Sequence, residues 1–230
     1  MRTFNPAIII LACVLATGNA RADDFSDGVS YYEQGDFTSA LESFKTAATK
    51  GNADAQFNLG LMFLNGEGVA QDYKQALSWF EQSAIKGNVR AQVNLGRMYA
   101  KGKGMLSNHG IAASWFRKAA DQGYADAQYS LGILYVTGTG VARDYNKARE
   151  LFQQAANQSN ASAQYQLGLL YLKGRGVTAN LVEAYKWLSL AGDYDDSEVF
   201  RKYVAAKMSK EEIAEAQSLA KNWKPQKATE

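Results

Sequence analysis

Few residues in this chain could do acid-base or nucleophilic chemistry, and their spacing argues against each use. His109 is the single histidine and Cys13 the single cysteine among 230 residues, which leaves no set of His and Cys ligands for zinc and no Cys-His nucleophile pair. Ser218-Leu-Ala-Lys221 has the S-x-x-K spacing in which a lysine can activate a serine. It stands alone on an amphipathic stretch without companion motifs, so it reads as a surface pair. Asp195-Asp196 and Glu211-Glu212 are adjacent carboxylates at a turn and a helix start, where negative charge complements the helix dipole. Gly66-x-Gly68, Gly102-x-Gly104, Gly138-x-Gly140 and Gly174-x-Gly176 invite comparison with phosphate-cradling loops, but none has the Lys-Ser/Thr sequel. They read as turns. No catalytic, cofactor-binding or metal-ligating residue is assigned, and no cofactor is expected.

The glycine pairs lead back to the elements that carry them, because they belong to a unit copied along the chain. Gly60, Gly96, Gly132 and Gly168 are spaced 36 residues apart, with Ala55, Ala91, Ala127 and Ala163 ahead of them and Ala76, Ala112, Ala148 and Ala184 behind. A repeat of this length is a supersecondary unit that buries its apolar face only by stacking on its neighbours. Within one copy, Ala55 to Phe63 has helical apolar spacing and stops at Gly66, and Tyr73 to Ala84 forms a second amphipathic run. The residue ahead of that run is Asp72, Asn108, Asp144 or Asn180, the types whose side chains cap a helix start. Gly87 and Gly123 end the second helix and Ser159 takes that place in the third copy, where the turn should be less comfortable. Trp79, Trp115 and Trp187 share one repeat position, Leu151 fills it in the remaining copy, and Phe80, Phe116 and Phe152 stand beside it. These aromatics are expected to fill the space between hairpins. The small residues should let paired helices approach closely.

Upstream, Gly28 and Ala40 are 12 residues apart where Gly60 and Ala76 are 16, so the first hairpin has a loop four residues shorter. The resulting division is a signal segment over 1–22, a first repeat over 23–51, four copies over 52–87, 88–123, 124–159 and 160–195, capping helices over 196–223 and a flexible tail over 224–230.

The signal follows from Arg2, the apolar run Ala7 to Leu15 and Ala20-Arg21-Ala22 ahead of Asp23-Asp24. The formal charge is +2 from 25 basic and 23 acidic residues, and cleavage after Ala22 takes away Arg2 and Arg21, leaving 23 of each. A neutral chain gives no support to a nucleic-acid partner. Cleavage also removes the only cysteine, so stability rests on packing. An alternative has Cys13 acylated as a lipoprotein anchor. Otherwise the chain is expected to be periplasmic or secreted, monomeric and free of a membrane-spanning segment.

The run A-x-x-x-L-G-x-x-Y-x-x-G-x-G-V from Ala127 to Val141, with Asp144, Ala148 and Ala155-Ala156, resembles the Sel1-like repeat, a relative of the tetratricopeptide repeat. The shorter first unit resembles a tetratricopeptide repeat proper, and the stretch around Lys207 to Gln217 with Trp223 resembles the C-terminal cap of exported bacterial members. The resemblance implies an all-α fold, a right-handed α/α superhelical solenoid of helix-turn-helix repeats. It also implies a non-enzymatic scaffold that binds a protein or peptide partner on its concave face, in envelope signalling or assembly. Two other readings are a β-lactam-binding enzyme, which the missing cysteines of the mature chain oppose, and a lipid-anchored protein of envelope or polysaccharide assembly.

The family pattern places the positions three before, one after and four after the marker glycine on that face. They are Phe25, Val29 and Tyr32; Phe57, Leu61 and Leu64; Val93, Arg97 and Ala100; Tyr129, Ile133 and Val136; Tyr165, Leu169 and Leu172. Relatives that grip a C-terminal carboxylate carry a Lys, Asn, Asn, Lys, Arg clamp, for which this chain has Phe25, Val29, Asn58, Arg90 and Asn94. Half the clamp is present, which argues against dedicated recognition of a free C-terminus, while Asn58 and Asn94 remain able to bond a ligand backbone.

Overall fold

A computed structural model describes residues 24–226. The signal segment, its cleavage site, Cys13 and the last four residues lie outside them. The described residues are all-helical, twelve helices in two compact units that divide between Leu106 and Ser107. That boundary falls in the loop of the copy 88–123, within a copy and not between copies.

Unit one contains α1 (Asp24–Glu33), α2 (Phe37–Thr49), α3 (Ala53–Asn65), α4 (Tyr73–Ile85) and α5 (Val89–Lys101). α1 pairs with α2 and α3 with α4, and α2 packs on α3 as α4 does on α5. The reason for the marker glycines is visible in the closeness of these pairs. A Cβ at Gly28 would stand 2.6 Å from the Phe44 ring, and one at Gly60 2.5 Å from the Phe80 ring. Both rings are fully buried.

Unit two contains α6 (His109–Asp121), α7 (Ala125–Thr137), α8 (Tyr145–Asn157), α9 (Ala161–Lys173), α10 (Leu181–Leu190), α11 (Ser197–Ala205) and α12 (Lys210–Asn222). The same contact recurs as Gly132 against Phe152 at 2.5 Å and Gly168 against Leu188 at 2.8 Å. α11 and α12 both pack on α10, and the Trp223 ring meets Trp187 edge-on at 6.2 Å. Ser209 and Glu212 form a reciprocal capping box at the start of α12. Sequence reasoning makes 224–230 a flexible tail; Gln226 is tied to Asn157 by a main-chain bond of 2.8 Å and a side-chain bond of 3.1 Å.

The second glycine of each pair is more than a turn residue. Gly66, Gly102, Gly138 and Gly174 close the first helix of each copy in the left-handed conformation. Two residues on, the partner glycine is pressed onto the first residue of the previous copy's second helix. A Cβ at Gly68 would meet the Phe37 carbonyl at 2.4 Å, at Gly104 the Tyr73 side chain at 2.7 Å, at Gly140 His109 backbone at 2.3 Å and at Gly176 the Tyr145 carbonyl at 2.4 Å. Each hairpin therefore stands on its predecessor through bare backbone.

The caps expected at Asp72, Asn108, Asp144 and Asn180 all form, each side chain accepting a backbone N–H of its helix's first turn. Asn52, Asn88 and Asn160 cap the first helix of their copies in the same way, whereas Tyr124 holds that place in the copy 124–159 and provides no cap bond. Ser159 has φ +65°, the left-handed backbone that Gly87 and Gly123 supply elsewhere. The tryptophans divide: Trp187 is buried, but Trp79 and Trp115 are only partly so, and Phe80, Phe116 and Phe152 form the core instead. Phe80 and Phe152, each one residue past that position, face the marker glycines Gly60 and Gly132.

Candidate functional site

The surface with the most variable chemistry is the row on the first helix of each copy, and in unit one it runs along α1, α3 and α5. Phe57 is buried, its ring 5.8 Å from Phe80, and serves as a floor rather than a contact surface. Val93 is buried likewise, and Phe25, 5.9 Å from Phe44, packs with Val29 and Tyr32 against the core. Val29, Tyr32, Leu61 and Leu64 keep part of their surface in solvent, and Arg97 is exposed. Leu61 and Arg97 occupy one repeat position, so the row changes there from aliphatic to cationic.

Two polar anchors hold this row. The Tyr32 hydroxyl donates to Glu67 Oε2 at 2.7 Å. Burial, then that bond and the glutamate charge, push the phenol pKa well above its ordinary value, so Tyr32 stays neutral. Arg90 lies over the Phe57 ring at 4.8 Å while its Nη2 donates to Asp54 Oδ1 at 2.8 Å. Asn88 donates to the same carboxylate oxygen at 2.9 Å. Arg90 is thus engaged in joining two copies, and Asn94 donates back to the Arg90 carbonyl at 2.9 Å. Asn58, only 6% exposed, makes no side-chain hydrogen bond with the described residues. Of the three polar clamp positions, Asn58 is the one whose side chain enters no hydrogen bond among the described residues, while Arg90 and Asn94 are each partly engaged.

In unit two the same row has a different fate. Tyr129 lies 6.0 Å from Phe152, and its phenol pKa is raised, first by burial and then by the neighbouring Tyr194 and Asp195. Ile133 and Val136 remain partly exposed. Tyr165 is buried beneath Tyr194 and Phe200, at 5.8 and 6.1 Å, and Leu169 and Leu172 pack into the same cluster with Val204 and Met208. The last copy's row is therefore covered by the chain's own residues 194–208.

The residues considered for chemistry are placed apart. The His109 ring is partly buried at the start of α6. Ser218 and Lys221 are exposed on α12, and the Ser218 hydroxyl accepts from Asn222 at 3.3 Å. Among the described residues no three His, Cys, Asp or Glu side chains gather as a metal site would require, and no helix is long and apolar enough to cross a membrane.

One periodic feature escapes sequence reasoning. Gln56, Gln92, Gln128 and Gln164 are buried, and each donates its amide to the carbonyl eight residues back, at Ala48, Ala84, Ala120 and Ala156. Their 36-residue spacing was the available signal. A polar residue beside an invariant alanine does not reveal a buried bond to the preceding helix.

Comparison with known proteins places these features in a family. The family model described as Sel1 repeat matches residues 53–88, 89–124, 125–160 and 161–193. The crystal structure of c5321, a protective antigen of uropathogenic Escherichia coli strains displaying an SLR fold, is 34% identical with a TM-score of 0.78, covering 87% of this chain and 44% of that one. This chain thus spans less than half the length of that protein. A Sel1 repeat protein from Oxalobacter formigenes is 28% identical with a TM-score of 0.74, covering 85% of this chain and 84% of that one. No curated protein matches the chain.

Proposed function

Because the chain belongs to the Sel1 repeat family, an all-helical repeat fold suited to protein interaction, we propose that it is a non-catalytic scaffold. Its partner, a protein or peptide, lies on the row formed by the first helices of the copies in unit one. One observation carries this reading: Tyr32, Leu61, Leu64 and Arg97 share a face, stay at least partly accessible, and differ between copies whose scaffold positions are the same. Repeat proteins hold shape with their constant positions and recognise ligands with variable ones. Aromatic and aliphatic surface beside a guanidinium is the usual composition of an interface core. Asn58 adds hydrogen-bonding capacity for a partner backbone.

The N-terminal pattern from Arg2 to Ala22 supports placing the scaffold in the periplasm or outside the cell, in envelope signalling or assembly. Photo-crosslinking tests the surface. A crosslinking amino acid at Leu64 should capture a discrete partner from an extract of the source cells, the same residue at exposed Gln82 should not, and Arg97→Glu should abolish capture. Equal capture from both positions, or capture indifferent to Arg97→Glu, overturns the reading.

A further inference from the structure

Unit two shows what an occupant of this row looks like. Tyr165, Leu169 and Leu172 are the positions of Phe57, Leu61 and Leu64 three copies later, and they are covered by α11 and the turn before it. The covering segment has a definite chemistry. Asp193, Asp195 and Asp196 precede Glu198 in the first turn of α11, and Tyr194, Phe200 and Val204 point onto the row. Asp195 and Asp196 directly follow Tyr194, whose ring lies 5.8 Å from Tyr165, and burial first, then these carboxylates, hold the Tyr165 phenol above its ordinary pKa.

The matching row in unit one is complementary to such a segment in charge. The position of Leu61 and Leu169 is Arg97 on α5, exposed at the surface, with exposed Lys101 one helical turn on. Leu61 and Leu64 offer the same aliphatic surface that Leu169 and Leu172 bring to the cluster they share with Phe200 and Met208. We infer that the partner element seated on unit one is an amphipathic helix with carboxylates in its first turn and an aromatic side chain on its inner face. Apolar contact supplies most of the affinity, and the pairing of carboxylates with Arg97 and Lys101 sets its orientation. This inference rests on the scaffold reading and names the chemistry of its ligand.

The probe is a fluorescein-labelled peptide of residues 193–208 with blocked termini, titrated into the chain beginning at Asp23 and followed by anisotropy. Saturable binding is expected. Arg97→Glu in the protein and Phe200→Ala in the peptide should each weaken it by about tenfold, and added salt should weaken it further. Leu64→Asp provides a second variant, and circular dichroism confirms that both variants are folded. The inference is overturned by no saturable signal up to about 1 mM peptide, or by affinity unchanged in both variants. It is also overturned by loss of binding in Ile133→Asp with retention in Leu64→Asp, which places the peptide on the row of unit two. If the peptide fails while crosslinks from Leu64 persist, the scaffold reading stands and this ligand chemistry does not.

Discussion

Gly60→Ala should destabilise the protein even though alanine is the better helix former. In an exposed helix interior the substitution gains about 1 kcal/mol. At Gly60 the new methyl would lie 2.5 Å from Phe80 Cδ1 and Cε1 and 3.0 Å from Cγ. Ordinary contact begins near 3.4 Å, so α3 and α4 must separate by most of an ångström or the ring must turn. Phe80 is fully buried and Phe57 packs beside it, which leaves the ring no free rotamer. Overpacking of this severity costs about 3 kcal/mol, the upper part of the usual range. The net loss is therefore about 2 kcal/mol, or about 4–8 °C in melting temperature for a chain of this size. Gly110→Ala is the control: its nearest neighbours stand at 3.4 and 3.8 Å, so it should stabilise by about 0.5–1 kcal/mol. Thermal and urea unfolding followed by circular dichroism measure both. Gly60→Ala combined with Phe80→Leu should recover part of the loss, since Leu188 already faces Gly168 in the last copy. A Gly60→Ala protein as stable as the parent would show that the close approach is not what selects glycine.

Tyr124→Asn should raise stability by about 1 kcal/mol in the same melts, because Tyr124 has φ −73° and ψ 113°, close to the −70° and 104° of capping Asn160. Gln75→Glu should stabilise by about 1 kcal/mol and alter Trp79 fluorescence: the buried Trp79 Nε1 lacks a partner, while Trp187 Nε1 donates to Glu183, four residues before it, at 2.9 Å. The Asp36 and Asp144 carboxylates are held below their ordinary 3.8, Asp36 mainly by the Ser39 side chain and Asp144 mainly by the Lys147 backbone N–H. Their contribution is present above pH 3.8 and is lost as pH falls through the lower folded value. The double variant Asp36→Asn/Asp144→Asn should therefore show a shallower loss of melting temperature than the parent over that acid range, and parallel curves would count against the linkage.

Most of the scaffold is legible because a packing requirement and a residue type coincide at one period. Glycine means a close helix pair, and Asp or Asn means a cap. Those readings are local, and four copies repeat them. The misplaced tryptophans show where locality ends: Trp79 and Phe80 are neighbours in sequence, and only the angle between helices decides which faces the glycine. The second glycine of each pair was read as a turn because its contact lies 31 residues away, in another copy. The candidate surface was legible as a set of positions on the first helices. Its coverage in the last copy was not, since Tyr165 looks like Tyr129 in sequence and nothing local to α9 announces that Phe200 will return onto it. Arg90 looked like a ligand contact for the same reason, and Asp54, in the previous copy, engages it.

The glycine foot gives the chain a grammar for changing length. Because Gly68 and Gly104 stand on equivalent backbone, at Phe37 and Tyr73, removing residues 52–87 would present Gly104 with Phe37 in place of Tyr73 and leave the joint chemically unaltered. Loss of a number of residues that is not a multiple of the 36-residue period would break this register and set a side chain where only hydrogen fits. The hairpin of α1 and α2 carries no such glycine pair, its loop being Gln34-Gly35-Asp36. Recombination among such genes would then trade whole copies downstream of residue 51, so that reach can evolve in fixed steps while the joints stay the same.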